Sequence, residues 1–157
     1  MSIIDEVECL RRIPLFANIE VPKLKLLAFT SERICFPAGD VLFRQNEMGN
    51  TAYIILDGEA HVLVDTPGGP LDVATLRRSD IVGEIAILCD VPRTASVIAE
   101  TDLTVLCISK DTFFRMVMEF PQIGVEIMRV LAQRLEHTTR QVRQMAAAVA
   151  VPASAPA

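Results

Sequence analysis

Ile81-Val82-Gly83-Glu84-Ile85-Ala86-Ile87-Leu88-Cys89-Asp90-Val91-Pro92-Arg93-Thr94-Ala95-Ser96-Val97 is the stretch on which the reading of this chain turns. It lies between runs of strand character, yet residues 84–88 carry the pattern of one short helix. Gly83 has no Cβ, so it permits a tight turn and a close backbone approach. The first N–H groups of a helix have no partner within it and carry a positive partial charge, which suits an anion. Arg93 brings a planar guanidinium that grips phosphate oxygens in bidentate fashion. Glu84 is an acceptor-only carboxylate in a largely apolar run, and it needs a donor such as a sugar hydroxyl. Together these parts describe a pocket for a sugar joined to a phosphate. Each part also has a plainer reading. A turn followed by an acidic first helical turn is common, a lone arginine is more often a surface cation, and Glu84 and Arg93 account for each other as an ion pair. Their order and spacing together favour the pocket.

Outward from this stretch the chain reads as short strands broken by turns. Residues 33–36, 41–45, 52–56, 60–64, 71–76, 94–99 and 103–108 have strand character. The breaks are Pro37-Ala38-Gly39-Asp40, Glu47-Met48-Gly49-Asn50, Asp57-Gly58 and Thr66-Pro67-Gly68-Gly69-Pro70. Turns recurring every ~8–12 residues argue for a barrel or a jelly-roll-like sandwich. Short helices are expected at 5–12 and 22–30, with Leu10, Ile13, Leu15 and Phe16 as an apolar knot between them. Helix returns at 111–119, and Pro121 opens a longer helix to about residue 145, as proline does at a first turn. One domain is therefore expected over 1–145, with the strands at 33–108 and the long helix at 121–145. The Ala/Pro-biased residues 146–157 are expected to be a disordered tail.

The long helix has two apolar stripes. Met128, Leu131, Leu135, Thr138, Val142 and Met145 recur at alternating spacings of three and four, which is a heptad seam. Ile123, Ile127, Val130 and Arg134 form a second stripe on a neighbouring face. One stripe suits the strands of the same chain and the other the same helix of a second chain, a homodimer. The alternative is that both pack within one chain as a single wide face. Threonine at 138 is an odd choice for a dimer seam unless it has a partner.

With 157 residues, 51% of them hydrophobic, the chain can bury a proper core. A net charge of −5 weighs against a nucleic-acid-binding surface. Cys9, Cys35, Cys89 and Cys107 are scattered among apolar residues without metal-type spacing, as in a reducing compartment. The N-terminus is acidic where a signal peptide is basic, and no apolar run approaches the ~18 residues of a membrane span. The expected location is the cytoplasm, with no membrane segment.

The run Gly83–Val97 resembles the phosphate-binding cassette of the cyclic-nucleotide-binding domain family. That family includes the bacterial catabolite activator (cyclic AMP receptor) proteins and the regulatory subunits of cyclic-AMP-dependent kinase. Pro37-Ala38-Gly39-Asp40-Val41-Leu42 and Tyr53-Ile54-Ile55-Leu56-Asp57-Gly58-Glu59-Ala60 resemble the family's glycine-marked turns. The likeness runs from about Leu10 to Met145. It implies a mainly β fold: an eight-stranded, jelly-roll-like β-roll with N-terminal helices and a long C-terminal helix. It also implies a sensor of a cyclic mononucleotide rather than an enzyme, with no cofactor.

The resemblance then assigns roles. Glu84 accepts from the ribose 2′-hydroxyl, and the amides of Ile85 and Ala86 hold the cyclic phosphate with Arg93. Gly83 lets the backbone close on the sugar. Thr94 bonds the phosphate or the amine of a syn guanine, and Val73 and Val82 touch ribose or base. Residues 133–142 resemble the dimer helix of the catabolite activators, where two hydroxyl residues, one from each subunit, reach the adenine amine. Here those are Thr138 and Thr139, which gives the odd seam position a partner. Arg134 matches an arginine that contacts the cassette glutamate. The threonines lean toward cyclic AMP, while Thr94 leaves cyclic GMP open.

Three rival readings remain. A cupin-like metalloenzyme needs clustered ligands, but the only histidines are His61 and His137, with no paired spacing. A truncated DNA-binding transcription regulator is the second: the acidic balance and the proline-bearing tail weigh against it, residues 146–157 are too short for a winged helix-turn-helix, and no nucleic acid is expected to bind this chain. A ligand-free dimerisation scaffold has no need of Gly83, Glu84 and Arg93 together. The expected partners are a cyclic mononucleotide, a second copy of the chain through the long helix, and an unidentified protein that reads the state.

Overall fold

The computed structural model describes residues 3–153. The chain divides after Met116 into two compact units. The first opens with α1 (Ile3–Arg11), a single 3-10 turn (Pro14–Phe16) and α2 (Val21–Thr30). Pro14 and Pro22 each stand in the first turn of the helix they open, where a missing N–H costs nothing. Leu10, Ile13, Phe16 and Leu24 are buried, so the apolar knot is a small core between helices.

Among the described residues eight strands follow: β1 (Glu32–Phe36), β2 (Val41–Phe43), β3 (Thr51–Asp57), β4 (Ala60–Thr66), β5 (Gly69–Leu76), β6 (Ile81–Val82), β7 (Ser96–Ala99) and β8 (Leu103–Ser109). They form two four-stranded sheets, ordered β1-β8-β3-β6 and β2-β7-β4-β5. Every pairing is antiparallel. This is the β-roll that the resemblance implied, with α3 (Glu84–Cys89) set between β6 and β7.

The core lies between the sheets. Phe43 and Val97 reach it from one sheet, and Tyr53, Ile55 and Val105 from the other. Burial alternates along β7, where Val97 and Ala99 are buried while Ser96 and Ile98 are half-buried, the mark of a strand with one covered face. Along β3, Ala52, Tyr53, Ile54 and Ile55 are buried in succession. Both faces of this inner strand are covered, and α3 packs against it.

Several boundaries differ from expectation. The strand expected over 41–45 ends at Phe43, because Gln45 N–H donates instead to Ser96 Oγ at 2.8 Å and Asn46 turns to φ 72°. The strand expected from Thr94 begins at Ser96, which leaves Thr94 in the loop. The five-residue turn at 66–70 is tighter than expected: Pro67-Gly68 alone joins β4 to β5. Pro70 is tolerated within β5 because β5 is an edge strand.

The second unit carries the end of α4 (Lys110–Glu119) and α5 (Pro121–Ala153). The expected end near residue 145 is corrected: residues 146–153 continue the helix rather than forming a disordered tail. Alanine is the best helix former, and here it outweighs the compositional signal. Residues 154–157 of the expected tail lie outside the described residues. The two stripes of α5 separate by exposure. Ile123 and Ile127 are buried, whereas Met128, Leu135, Val142 and Met145 are 58–69% exposed. Among the described residues no helix is long and apolar enough to cross a membrane.

Candidate functional site

The site is built where β6 runs into α3. Gly83 caps α3 at its N-terminus with φ 88°, the left-handed region that favours glycine. A Cβ there would lie 2.7 Å from Arg93 Nη1 and 3.0 Å from the Thr51 carbonyl oxygen, so the absent side chain is also the space the arginine uses. Arg93 lies in the loop between α3 and β7. Its Nη1 donates to the Gly83 carbonyl at 3.0 Å, and its Nη2 donates to Thr51 Oγ1 at 3.1 Å. Its Cζ stands 4.2 Å from the centroid of the Phe43 ring, a cation–π contact.

Arg93 is 4% exposed and Glu84 is 1% exposed. Arginine and glutamate are among the side chains least often fully buried, and the cost of burying a charge makes such positions uncommon. Burial pulls the Arg93 guanidinium below its ordinary value, while Tyr53, Cys107, Glu47 and Glu84 push it back up. Glu84 therefore lies within electrostatic reach of Arg93. An arginine so placed keeps its charge at neutral pH, so a fixed cation stands within electrostatic reach of the buried Glu84.

The structure brings Gly83, Glu84 and Arg93 into one locale, with Val82 buried immediately before them. Ala86 is buried and Ile85 is 40% exposed on the same short helix. Thr94 is exposed in the loop beside Arg93. Val73 is the extra residue of a bulge on β5, where Ala74 pairs with Val62 and Asp72 with Leu63. Arg134, Thr138 and Thr139 belong to α5 in the second unit. The hydroxyls of Thr138 and Thr139 donate to the carbonyls of Arg134 and Leu135, one turn back.

Phe43, Gly49 and Thr51 also surround Arg93, and no motif in the sequence marks them. Thr51 is 42 positions from Arg93 in the chain, so no local pattern joins them. Gly49 stands in a turn by its sequence pattern, and a Cβ there would fall 2.2 Å from Arg93 Nε.

Elsewhere, His61 meets Asp72 at Nδ1 (3.0 Å) and Glu100 at Nε2. The two carboxylates flank opposite ring nitrogens and share no common point. Among the described residues no group of three His, Cys, Asp or Glu side chains could hold a metal ion.

The family model for the cyclic nucleotide-binding domain matches residues 33–120, which takes in all but the first residue of the two sheets and the whole β6–α3–Arg93 segment. The chain belongs to the cyclic nucleotide-binding domain family. Within this family it is similar to a CRP-like cAMP-activated global transcriptional regulator of Mycobacterium tuberculosis, 28% identical over 139 residues. That match covers 88% of this chain and 62% of the regulator. It is also similar to a cAMP-dependent protein kinase regulatory subunit of Aspergillus fumigatus, 34% identical over 107 residues, covering 68% of this chain and 25% of the subunit. The chain thus spans less than two thirds of the length of either relative. In fold it resembles the Thermus thermophilus catabolite activator protein, with a TM-score of 0.75 and 22% identity over 85% of this chain and 63% of that one.

Proposed function

We propose that the chain is a non-catalytic sensor that binds a cyclic mononucleotide, cyclic AMP in preference to cyclic GMP, and passes the bound state to a protein partner through α5. The observation that carries the reading is Arg93: a buried cation fastened to the Gly83 carbonyl, within electrostatic reach of the buried Glu84. A protein bears the cost of burying these groups where they meet a ligand with matching handles.

In this reading Arg93 and the amides of Ile85 and Ala86 hold the cyclic phosphate, and Glu84 accepts from the ribose 2′-hydroxyl. Gly83 lets the backbone approach the sugar, and Val73 and Val82 give it apolar contact. Thr94 adds a hydroxyl at the phosphate. Thr138 and Thr139 select adenine through its amine, and Arg134 steadies Glu84. The exposed seam of α5 pairs two copies of the chain, which work in the cytoplasm. Ligand shifts the helix between states only by its difference in affinity for them.

The test is isothermal titration of ligand-free protein with cyclic AMP and then cyclic GMP. Binding at ~1 μM or tighter for cyclic AMP, and weaker for cyclic GMP, is the expected result. A reversed preference moves base selection from the α5 threonines to Thr94. No heat with either nucleotide contradicts the proposal.

A further inference from the structure

Arg93 is held by more than the cassette to which it belongs. Its carbonyl accepts from Asn46 N–H at 2.8 Å, and its own N–H donates to the Glu47 carbonyl at 2.8 Å. These two bonds tie residue 93 to the loop between β2 and β3. The side chain turns toward the same stretch of chain. Nη2 reaches Thr51 Oγ1 at 3.1 Å, the guanidinium lies over Phe43, and it occupies the room a side chain at 49 would fill. A Cβ at Gly49 would stand 2.2 Å from Nε and 2.4 Å from Cζ.

An arginine loses much rotamer freedom when it is fixed. If that loss is met in the free protein, less of the binding energy is spent on it when the ligand arrives. The bonds to Gly83 and Thr51 take one N–H from each terminal nitrogen, and the other donors of the fork remain for an anion. We infer that Thr51 positions the Arg93 guanidinium for the anionic ligand, in a seat that exists only because residue 49 is glycine. The inference rests on the reading of Arg93 as the phosphate ligand. Thr51 and Gly49 are positioning residues in it and touch no ligand atom themselves.

The test is the affinity of the full chain for cyclic AMP in Thr51→Val, Thr51→Ser and Gly49→Ala, each with and without Arg93→Ala. Thr51→Val keeps the shape and removes the acceptor, and it is expected to weaken binding about tenfold. Thr51→Ser keeps the acceptor and is expected to stay within about twofold of wild type. Gly49→Ala leaves Thr51 intact but displaces the guanidinium, and a loss of about tenfold or more is expected. In the Arg93→Ala background neither Thr51→Val nor Gly49→Ala should add more than about twofold, because the group they position is gone. Wild-type affinity in Thr51→Val, or an undiminished loss in the Arg93→Ala background, overturns the inference and leaves the function of Arg93 standing. Wild-type affinity in Arg93→Ala overturns the phosphate reading itself, and the inference with it. Should Thr51→Val not fold, Gly49→Ala decides alone: wild-type affinity there overturns the seat.

Discussion

Arg93 Nη1 donates to the carbonyl oxygen of Gly83 at 3.0 Å, ten positions earlier in the chain. The bond closes the cassette on itself. It joins the turn that opens α3 to the loop that follows α3, so the start of the short helix and the cation share one fixed frame.

Gly83→Ala should break that frame in two ways. The backbone at φ 88° resists a side chain, and the added methyl meets Arg93 Nη1. A loss of about 1–3 kcal/mol in folding stability is expected from the strain. Urea denaturation measures it, and titration with cyclic AMP should show weaker binding in the same variant. Unchanged stability would contradict the backbone argument.

Glu84 is read as the acceptor for the ribose 2′-hydroxyl. Glu84→Ala removes the acceptor, and a loss of about 1.5–3 kcal/mol in binding is expected. The sharper readout is selectivity. Wild type should discriminate against 2′-deoxy cyclic AMP, and the variant should discriminate far less. Equal binding of both ligands by wild type would remove this role.

Cys107 offers a pH dependence with a defined sign. Burial, and then Glu32, push its thiol above the ordinary range, while hydrogen bonds to Thr51 and Tyr53 and the charge of Arg93 pull the other way. The folded chain therefore holds this proton more tightly than the unfolded chain. The resulting stability is fully present below the unfolded thiol pKa of about 8.5, and it is lost as pH rises through the folded value. As pH rises above about 8.5, wild type should lose more stability than Cys107→Ala. The exposed Cys35 and Cys89 should be alkylated before Cys107. Equal slopes for the two proteins, or early modification of Cys107, would contradict the assignment.

Much of the fold was legible in the sequence because its signals are local. Turn residues at 37–40, 47–50 and 57–58 sit where the chain reverses, and the alternation in Ser96–Ala99 marks a strand with one buried face. Gly83, Glu84 and Arg93 were legible because one short run carries them. Phe43, Gly49 and Thr51 were not, since they meet Arg93 only through tertiary folding. The two-residue β6 is too short to show a period of its own. The end of α5 was not legible because an Ala/Pro bias resembles a tail, while alanine itself favours the helix.

The exposed stripe of α5 makes a claim about assembly. Met128, Leu135, Val142 and Met145 lie on one heptad seam, and all are well exposed in the single chain. Wild type should sediment as a dimer. Leu135→Asp, which places a charge on each side of the seam, should sediment as a monomer without loss of folded content. A monomeric wild type at micromolar concentration would contradict the pairing.

Arg93 is the residue on which ligand binding is expected to depend most. The decisive measurement is a parallel calorimetric titration of wild type and Arg93→Ala with cyclic AMP, with thermal melts to verify that both are folded. The expected result is clear binding by wild type and a loss of about 2–5 kcal/mol in the variant, the usual cost of removing one side of a desolvated charge contact. Equal affinity in the two proteins would contradict a phosphate-binding role for Arg93.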